Sequence, residues 1–539
     1  RWLEAAAGNR VAELSDAIAS HYESAVRSVP ALASDVADGL SRQGASALAA
    51  SWLERAGDRA LAQYANAAAG ALFQRAIAMT PASDRLALGP LKIRVGEAAA
   101  RNGQLDDAIT AYASASADLR AVLADQSSTD ADRLAARRGL GTSAAAESSA
   151  RYAQIRFADA QAVAEEALQV VGADDPIAAV PLLLARLYGL EGLTNDYTGL
   201  HDEAVEVLAL AERAGDPELV YAARRATLMI NLENSEIEQW LRSADEGRRL
   251  GHWRESTGAL INGAGVIADT DPERARALLD DAEQVAEARG LGEPLGWIGQ
   301  SRAELDLASG DWTRSRAVAI STLDLADAHG YLRVQVRTWF VTAFAEVVDD
   351  RVLLERAAAW FTSHADAFPH SPYGNIQHSG VVLRLAAAGL MAAPTLDRAE
   401  MLAGAAIPDT SPSWLASVER IIQGLIERER IDDAYEMVAV YRAIDVGEVR
   451  PLPASSRALV SGWVAAAQVR LDEAEEHFAD AAKAAREAGA PWWRLRSLSG
   501  LDSIGRASDE QRAEAAGIAR ELGISEERRA IIQARGDAP

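Results

Sequence analysis

The sequence predicts an all-α chain: a solenoid of helical hairpins repeating about every 40 residues and wound as a right-handed superhelix. Three observations predict it. One is a phrase of a polar stop, an apolar residue, one or two acidic or polar residues and an alanine. It recurs as Gln104-Leu-Asp-Asp-Ala108, Arg156-Phe-Ala-Asp-Ala160, Leu200-His-Asp-Glu-Ala204, Arg430-Ile-Asp-Asp-Ala434 and Arg470-Leu-Asp-Glu-Ala474. Another is composition: alanine, the best helix former, fills 116 of 539 positions, and only 17 are proline. The third is a set of glycines, at 215, 251, 290, 330 and 489, each following a helical run where a left-handed cap belongs. Fixed-period self-similarity marks stacked repeats, in which each repeat packs only on its neighbours.

Taken in order, residues 1–60 do not share the period and read as a helical lead-in, a cap or a connector to an upstream domain. Trp2, Leu3, Val11, Leu14, Ile18 and Tyr22 form a helical stripe there, and Trp52 begins a further helix. The array occupies 61–500, with anchors at Ala69, Ala108, Ala160, Ala204, Trp240, Ala275, Ser315, Ala357, Ala399, Ala434 and Ala474. Residues 91–117 show how one hairpin works. Gly96 is small where a second helix must approach, Asn102-Gly103 ends the first helix, and Asp106 caps the second. Ala108, Tyr112 and Ala115 then line one face at i, i+4 and i+7. This small–large–small face resembles the tetratricopeptide pattern. It returns at Ala69-Phe73-Ala76, Ala275-Leu279-Ala282 and Ala474-Phe478-Ala481. The 52-residue interval from Ala108 to Ala160 implies an insertion or a longer first helix at 119–136. Residues 363–380 are the longest irregular stretch. Residues 501–539 read as capping helices and tail, with a last anchor at Ala513.

The net charge of −25 disfavours nucleic acid and anionic membrane as partners, since both call for basic patches, and neither is expected. No apolar run reaches membrane-spanning length, and the start lacks a signal peptide's apolar stretch, so the expected location is the cytoplasm. There is no cysteine, hence no disulfide, thiol catalysis or thiolate metal site. The chain starts without methionine, in mid-pattern, and is expected to be part of a longer protein.

Catalytic motifs are sparse. A P-loop needs a Gly-Lys-Ser/Thr phosphate cradle, and neither lysine, Lys92 nor Lys483, sits in one. Gly290-Leu-Gly-Glu-Pro-Leu-Gly296 has the wrong spacing for a dinucleotide loop and reads as an inter-repeat turn. The Asp pairs at 106–107 and 432–433 sit at helix starts, where acidic residues favour the dipole. No cofactor is expected. The histidine cluster His364, His370 and His378, with Asp366 and Tyr373, is the one place where a metal or an all-helical enzyme's site could form. Trp297, Trp312, Arg333, Arg337, Trp339, Trp360 and Tyr373 combine aromatics and guanidiniums as recognition grooves do. The alternative is that these tryptophans fill space between alanine-rich helices, with arginine stems packed over them.

Trp2-Leu-Glu, His21-Tyr-Glu23, Trp52-Leu-Glu-Arg-Ala-Gly-Asp-Arg-Ala60, Tyr64-Ala-Asn66 and Arg75-Ala76 follow one another in a way that resembles the segment after the ATPase module of bacterial STAND signalling ATPases. Actinobacterial members carry an adenylate cyclase domain first, and MalT/LuxR-type regulators end in a helix-turn-helix. The resemblance implies a sensor or scaffold arm whose ATPase or cyclase partner lies upstream in cis. No catalytic residue carries over, because the P-loop, the cyclase carboxylates and the DNA-reading helix have no counterpart here. The expected function is a non-enzymatic module that binds a protein, peptide or small effector in a concave groove. A standalone assembly scaffold is the second reading.

Overall fold

The computed structural model describes residues 13–28, 35–37, 40–194, 197–344, 351–364, 372–444 and 450–524. It divides into two compact units. Unit 1 is Arg1–Leu190 with Ala204–Ala223, and unit 2 is Glu191–Glu203 with Arg224–Pro539. Apart from a short antiparallel ribbon, Asp35–Ala37 with Leu40–Ser41, and a few 3₁₀ turns, the regular elements described are α-helices.

In unit 1 the helices are α1 Ser15–Ser28, α2 Arg42–Ala62, α3 Asn66–Met79, α4 Arg85–Arg101, α5 Leu105–Ala124, α6 Asp130–Ala153, α7 Phe157–Val171 and α8 Pro176–Glu191. Two helices, α9 Tyr197–Ala214 and α10 Pro217–Ile230, are divided between the units. From α1 to α7 each helix packs on the next. The glycine of one helix receives the aromatic ring of its partner. A Cβ on Gly96 would lie 2.6 Å from Tyr112, and one on Gly57 would lie 2.5 Å from Phe73. The same sixteen-residue spacing (57 and 73, 96 and 112) recurs in unit 2 between Gly462 and Phe478, at 2.5 Å. The repeat therefore starts earlier than residue 61: α2, assigned to the lead-in from sequence, is the first helix of a hairpin. Trp52 lies within α2 and does not begin it. Ile18 and Tyr22 are buried in α1, while Trp2, Leu3 and Val11 fall outside the described residues.

Six of the described hairpin turns share one geometry. Five residues before the buried anchor the backbone is left-handed, at Tyr64, Gly103, Ile155, Gly310, Glu429 and Val469. The next N–H reaches back across the turn, Gln104 to the Ala99 carbonyl and Arg470 to the Ala465 carbonyl, both at 2.9 Å. This satisfies carbonyls that the helix end leaves free. Glycine is the residue that adopts such φ without strain, yet four of the six positions are not glycine. At the far end of the hairpin the expected glycines do cap: Gly215, Gly251, Gly290, Gly330 and Gly489 all have positive φ.

Most anchors are the fourth helical residue of their helices, whereas Ala204 and Ala357, also buried, are the eighth and seventh of theirs. Ala69, Ala108, Ala160, Trp240, Ala275, Ser315, Ala434 and Ala474 are buried at the fourth position. Two anchors are corrected. Ala399 and Ala513 are exposed. Asp397 is the N-cap of its helix and accepts from the Glu400 N–H, so the fourth position, and the buried one, is Met401. Near the C-terminus Ser508 caps, and Ala515, Ile518 and Ala519 are buried. Asp106 is likewise not a cap. It lies in the first turn of α5 and accepts from the Gln154 amide at 2.8 Å. The long interval is explained by long helices, the 20-residue α5 and the 24-residue α6. A capping box of Thr129 and Asp132 opens α6.

Unit 2 contains α11 Ile237–Leu250, α12 Trp253–Ile267, α13 Pro272–Arg289, α14 Gly292–Ser309, α15 Trp312–His329, α16 Leu332–Phe344 and α17 Arg351–Ser363. It continues with α18 Pro372–Ala387, α19 Arg398–Ala405, α20 Pro412–Ile426, α21 Ile431–Ala443, α22 Pro451–Ala467, α23 Leu471–Glu487, α24 Pro491–Ser503 and α25 Asp509–Glu521. Gly292–Gly296, read as turn, opens α14, where Gly296 packs under Val334. Much of the stretch read as irregular, from 372 onward, is helix α18; 388–397 is a non-helical connection instead.

Unit 2 departs from a serial solenoid. Helix α14 packs on α20 and α24 as well as on its sequence neighbours. Trp312 meets Trp492 edge-on at 5.4 Å, and Gly310 lies against Pro491 and Leu522. The Ser413 hydroxyl donates to Glu304, and Arg450 donates to the Val266 carbonyl at 3.1 Å. One continuous hydrophobic core runs from Ala303 to Ile524.

Candidate functional site

The aromatic and arginine residues singled out from sequence split into two groups. Trp312, Trp339 and Trp360 belong to the core of unit 2. The Trp312 indole donates to the Leu307 carbonyl at 3.3 Å, and the Trp360 indole to the Gln335 amide at 3.1 Å. The Arg356 guanidinium lies over the Trp339 ring at 5.5 Å. Arg337 is paired with Asp409 at 3.5 Å. The half-buried Trp297 lies beneath Arg333 at 5.4 Å and donates to Glu293 at 3.4 Å, and Glu293 also pairs with Arg254. The helix α18 begins beside Tyr373, whose side chain is outside the described residues.

The histidines do not converge in the part that is described. His364 stacks on Trp360 at 4.3 Å, and its Nδ1 is 2.9 Å from the Trp360 carbonyl. His378 packs near Phe361 at 5.8 Å, and burial lowers its pKa. His370 and Asp366 lie outside the described residues. Among the described residues no three His, Asp or Glu side chains are grouped to hold a metal ion.

The buried carboxylates of unit 2 are spent on the fold. Glu419 is fully buried and accepts from the Trp493 indole at 2.7 Å and from Arg496. Asp306 is held by Arg314 at 3.3 Å and Arg276 at 3.4 Å, and its pKa is raised, chiefly by burial. The Glu419 contacts join helices far apart in sequence and the Asp306 pairs join adjacent ones, and in both a lone buried charge would be costly.

A groove of about 580 Å³ lies between α10 and α11, entirely within unit 2. Leu228 and Gln239 line it with Ser243 and with the charged residues Arg224, Arg242, Asp245, Glu246 and Arg249. Sequence reasoning passed over it for a physical reason. On α11, Glu246 is the i+4 partner of Arg242, and helices often satisfy such pairs internally. Instead Arg224 reaches across from α10 and takes Glu246 at 2.6 Å. Arg248 takes Asp245 at 3.5 Å. Among the described residues Arg242 and Arg249 have neither an ion-pair nor a hydrogen-bond partner. The Ser243 hydroxyl, buried at 4 % exposure, has no hydrogen-bond partner either. The sequence signal that could have found the site is three arginines within 242–249, on a chain whose net charge is strongly negative.

No family model matches the chain. No curated protein sequence matches it. Among solved structures the chain is similar to a "circular tandem repeat protein with novel repeat topology and enhanced subunit contact surfaces". The likeness covers 98% of this chain and 88% of the other at 14% identity, with a TM-score of 0.15. A score that low adds nothing to the architecture, which stands on the hairpins themselves. No described helix is long and apolar enough to cross a membrane.

Proposed function

We propose that the chain is a non-enzymatic helical-repeat module that binds a protein, peptide or small effector. The serial packing of unit 1 supports the reading. From α2 to α7 each helix is covered by its sequence neighbours, so the remaining faces are open to a partner, as repeat scaffolds use them. Trp312, Trp339 and Trp360, first read as groove anchors, are packed in the core of unit 2, while Trp297 is only half-buried. The finer reading rests on the resemblance of residues 2–76: this module reports to a STAND-type ATPase or cyclase in cis. There, binding would shift a pre-existing equilibrium between docked and undocked states of the array.

Native mass spectrometry of the complex purified from its source cells tests the module. A stoichiometric protein, peptide or small molecule on the chain supports it. A bare chain that turns over a substrate overturns it. The gene tests the finer reading: a P-loop domain encoded upstream in frame supports it, and a gene with none removes it.

A further inference from the structure

We propose that the groove between α10 and α11 is a binding site for a small organic anion, whose phosphate or carboxylate is held by Arg242, Arg249 and the Ser243 hydroxyl. The inference rests on the module reading and names the chemistry of one of its ligands.

Three observations carry it. Arg242 and Arg249 are seven residues apart, nearly two turns, and so share one face of α11 about 10 Å apart along its axis. Both are exposed, and neither has a carboxylate partner among the described residues. Their long arms can converge on an anion between them, and a planar guanidinium engages phosphate or carboxylate oxygens in pairs. The Ser243 hydroxyl lines the same groove without a partner. A buried hydroxyl left unpaired is costly, and an anionic oxygen satisfies it. The two acidic residues on the lining are already neutralised, Glu246 by Arg224 and Asp245 by Arg248. They therefore do not cancel the free guanidiniums. The remaining lining, buried Leu228 and the Gln239 amide, suits the neutral body of a metabolite. A volume of about 580 Å³ lies within the usual range for small-molecule sites.

The test is calorimetric titration of the whole chain at low ionic strength with pyrophosphate and, separately, with citrate. Saturable one-site binding of either probe is expected. Binding should weaken at least tenfold in Arg242→Ala/Arg249→Ala and a few-fold in Ser243→Ala. It should be unchanged in Arg398→Ala, which removes an exposed arginine paired with Glu436 on another helix. Circular dichroism confirms that each variant stays helical. Tighter pyrophosphate binding assigns the phosphate class, and tighter citrate binding the carboxylate class. No saturable binding of either probe, or equal loss in Arg398→Ala and in the double variant, overturns the site. A partner found by mass spectrometry while both probes fail leaves the module standing and removes only this groove.

Discussion

Tyr112 in unit 1 packs on Gly96 of the preceding helix, whereas Trp493 in unit 2 donates its indole N–H to Glu419, 74 positions away. The two units use the same hairpin and differ in what closes it. In unit 1 the links between helices reach a repeat or so, as from Arg75 to Glu23 at 2.7 Å. In unit 2 they reach from Ser413 to Glu304 and from Arg450 to Val266, 109 and 184 positions. The lesson concerns cooperativity. A serial stack distributes stability over nearest-neighbour interfaces, while a unit that folds back on itself shares one core. The tryptophan distribution follows: ten of the twelve lie from Trp240 onward, where space between non-consecutive helices has to be filled.

The sharpest way to break this comparison is Glu419→Ala. It strands the Arg496 charge and the Trp493 indole in the core, and breaking such a buried pair costs about 3–5 kcal/mol. Hydrogen exchange should rise together in α14, α20 and α24. Faster exchange in α20 alone would show that unit 2 is as serial as unit 1. Next in size is Gly96→Ala, whose new methyl group meets the Tyr112 ring at 2.6 Å. Overpacking of this kind costs about 1–3 kcal/mol, measured by urea denaturation. The exchange increase should be confined to α4, α5 and the helices they touch, and a spread through all of unit 1 counts against serial packing.

A smaller change, of opposite sign, is expected for Val469→Gly. A β-branched residue in left-handed backbone is strained by about 1 kcal/mol, and the exposed Val469 side chain gives up little burial. A higher melting temperature is the expected result; an unchanged or lower one shows that the turn is not strained. The smallest effect concerns pH. Burial raises the Asp269 carboxyl above its ordinary 3.8, although Arg450 opposes the shift. A carboxyl that ionises later in the fold than in the unfolded chain adds stability below pH 3.8 and loses it as pH rises through the folded value. Asp269→Asn should flatten that decline in the urea midpoint of unit 2, and parallel curves for the two proteins would exclude the effect.

These differences also mark what the residues reveal in advance. The anchors at Ala108, Ala160 and Ala474 are legible because an apolar first residue and a small fourth residue of a helix leave a fixed imprint. Ala399 misleads because its phrase looks right while Asp397 caps two residues later than the pattern supposes. The turns at Tyr64, Ile155, Glu429 and Val469 are invisible in sequence, since no local preference announces left-handed backbone at a tyrosine or a valine. Closure of unit 2 is invisible for another reason: periodicity reports which residues face a neighbour, not which helix a hundred residues away completes the layer. The groove was hidden by competition, because only the fold shows that Arg224 takes the carboxylate that Arg242 would otherwise hold.

The glycine caps have a consequence for how such an array changes length. Helix α11 has 14 residues before Gly251, while α13 and α15 have 18 before Gly290 and Gly330, and all three place their anchor at the fourth position. Four residues turn a helix by about 400°, which returns the cap to within about 40° of its old direction. Insertions and deletions of four are thus nearly silent to the packed face. A change of two would swing the cap about 200° to the far side. Between these three helices the length differs by about one whole turn, so the packed face keeps its register while the helix grows.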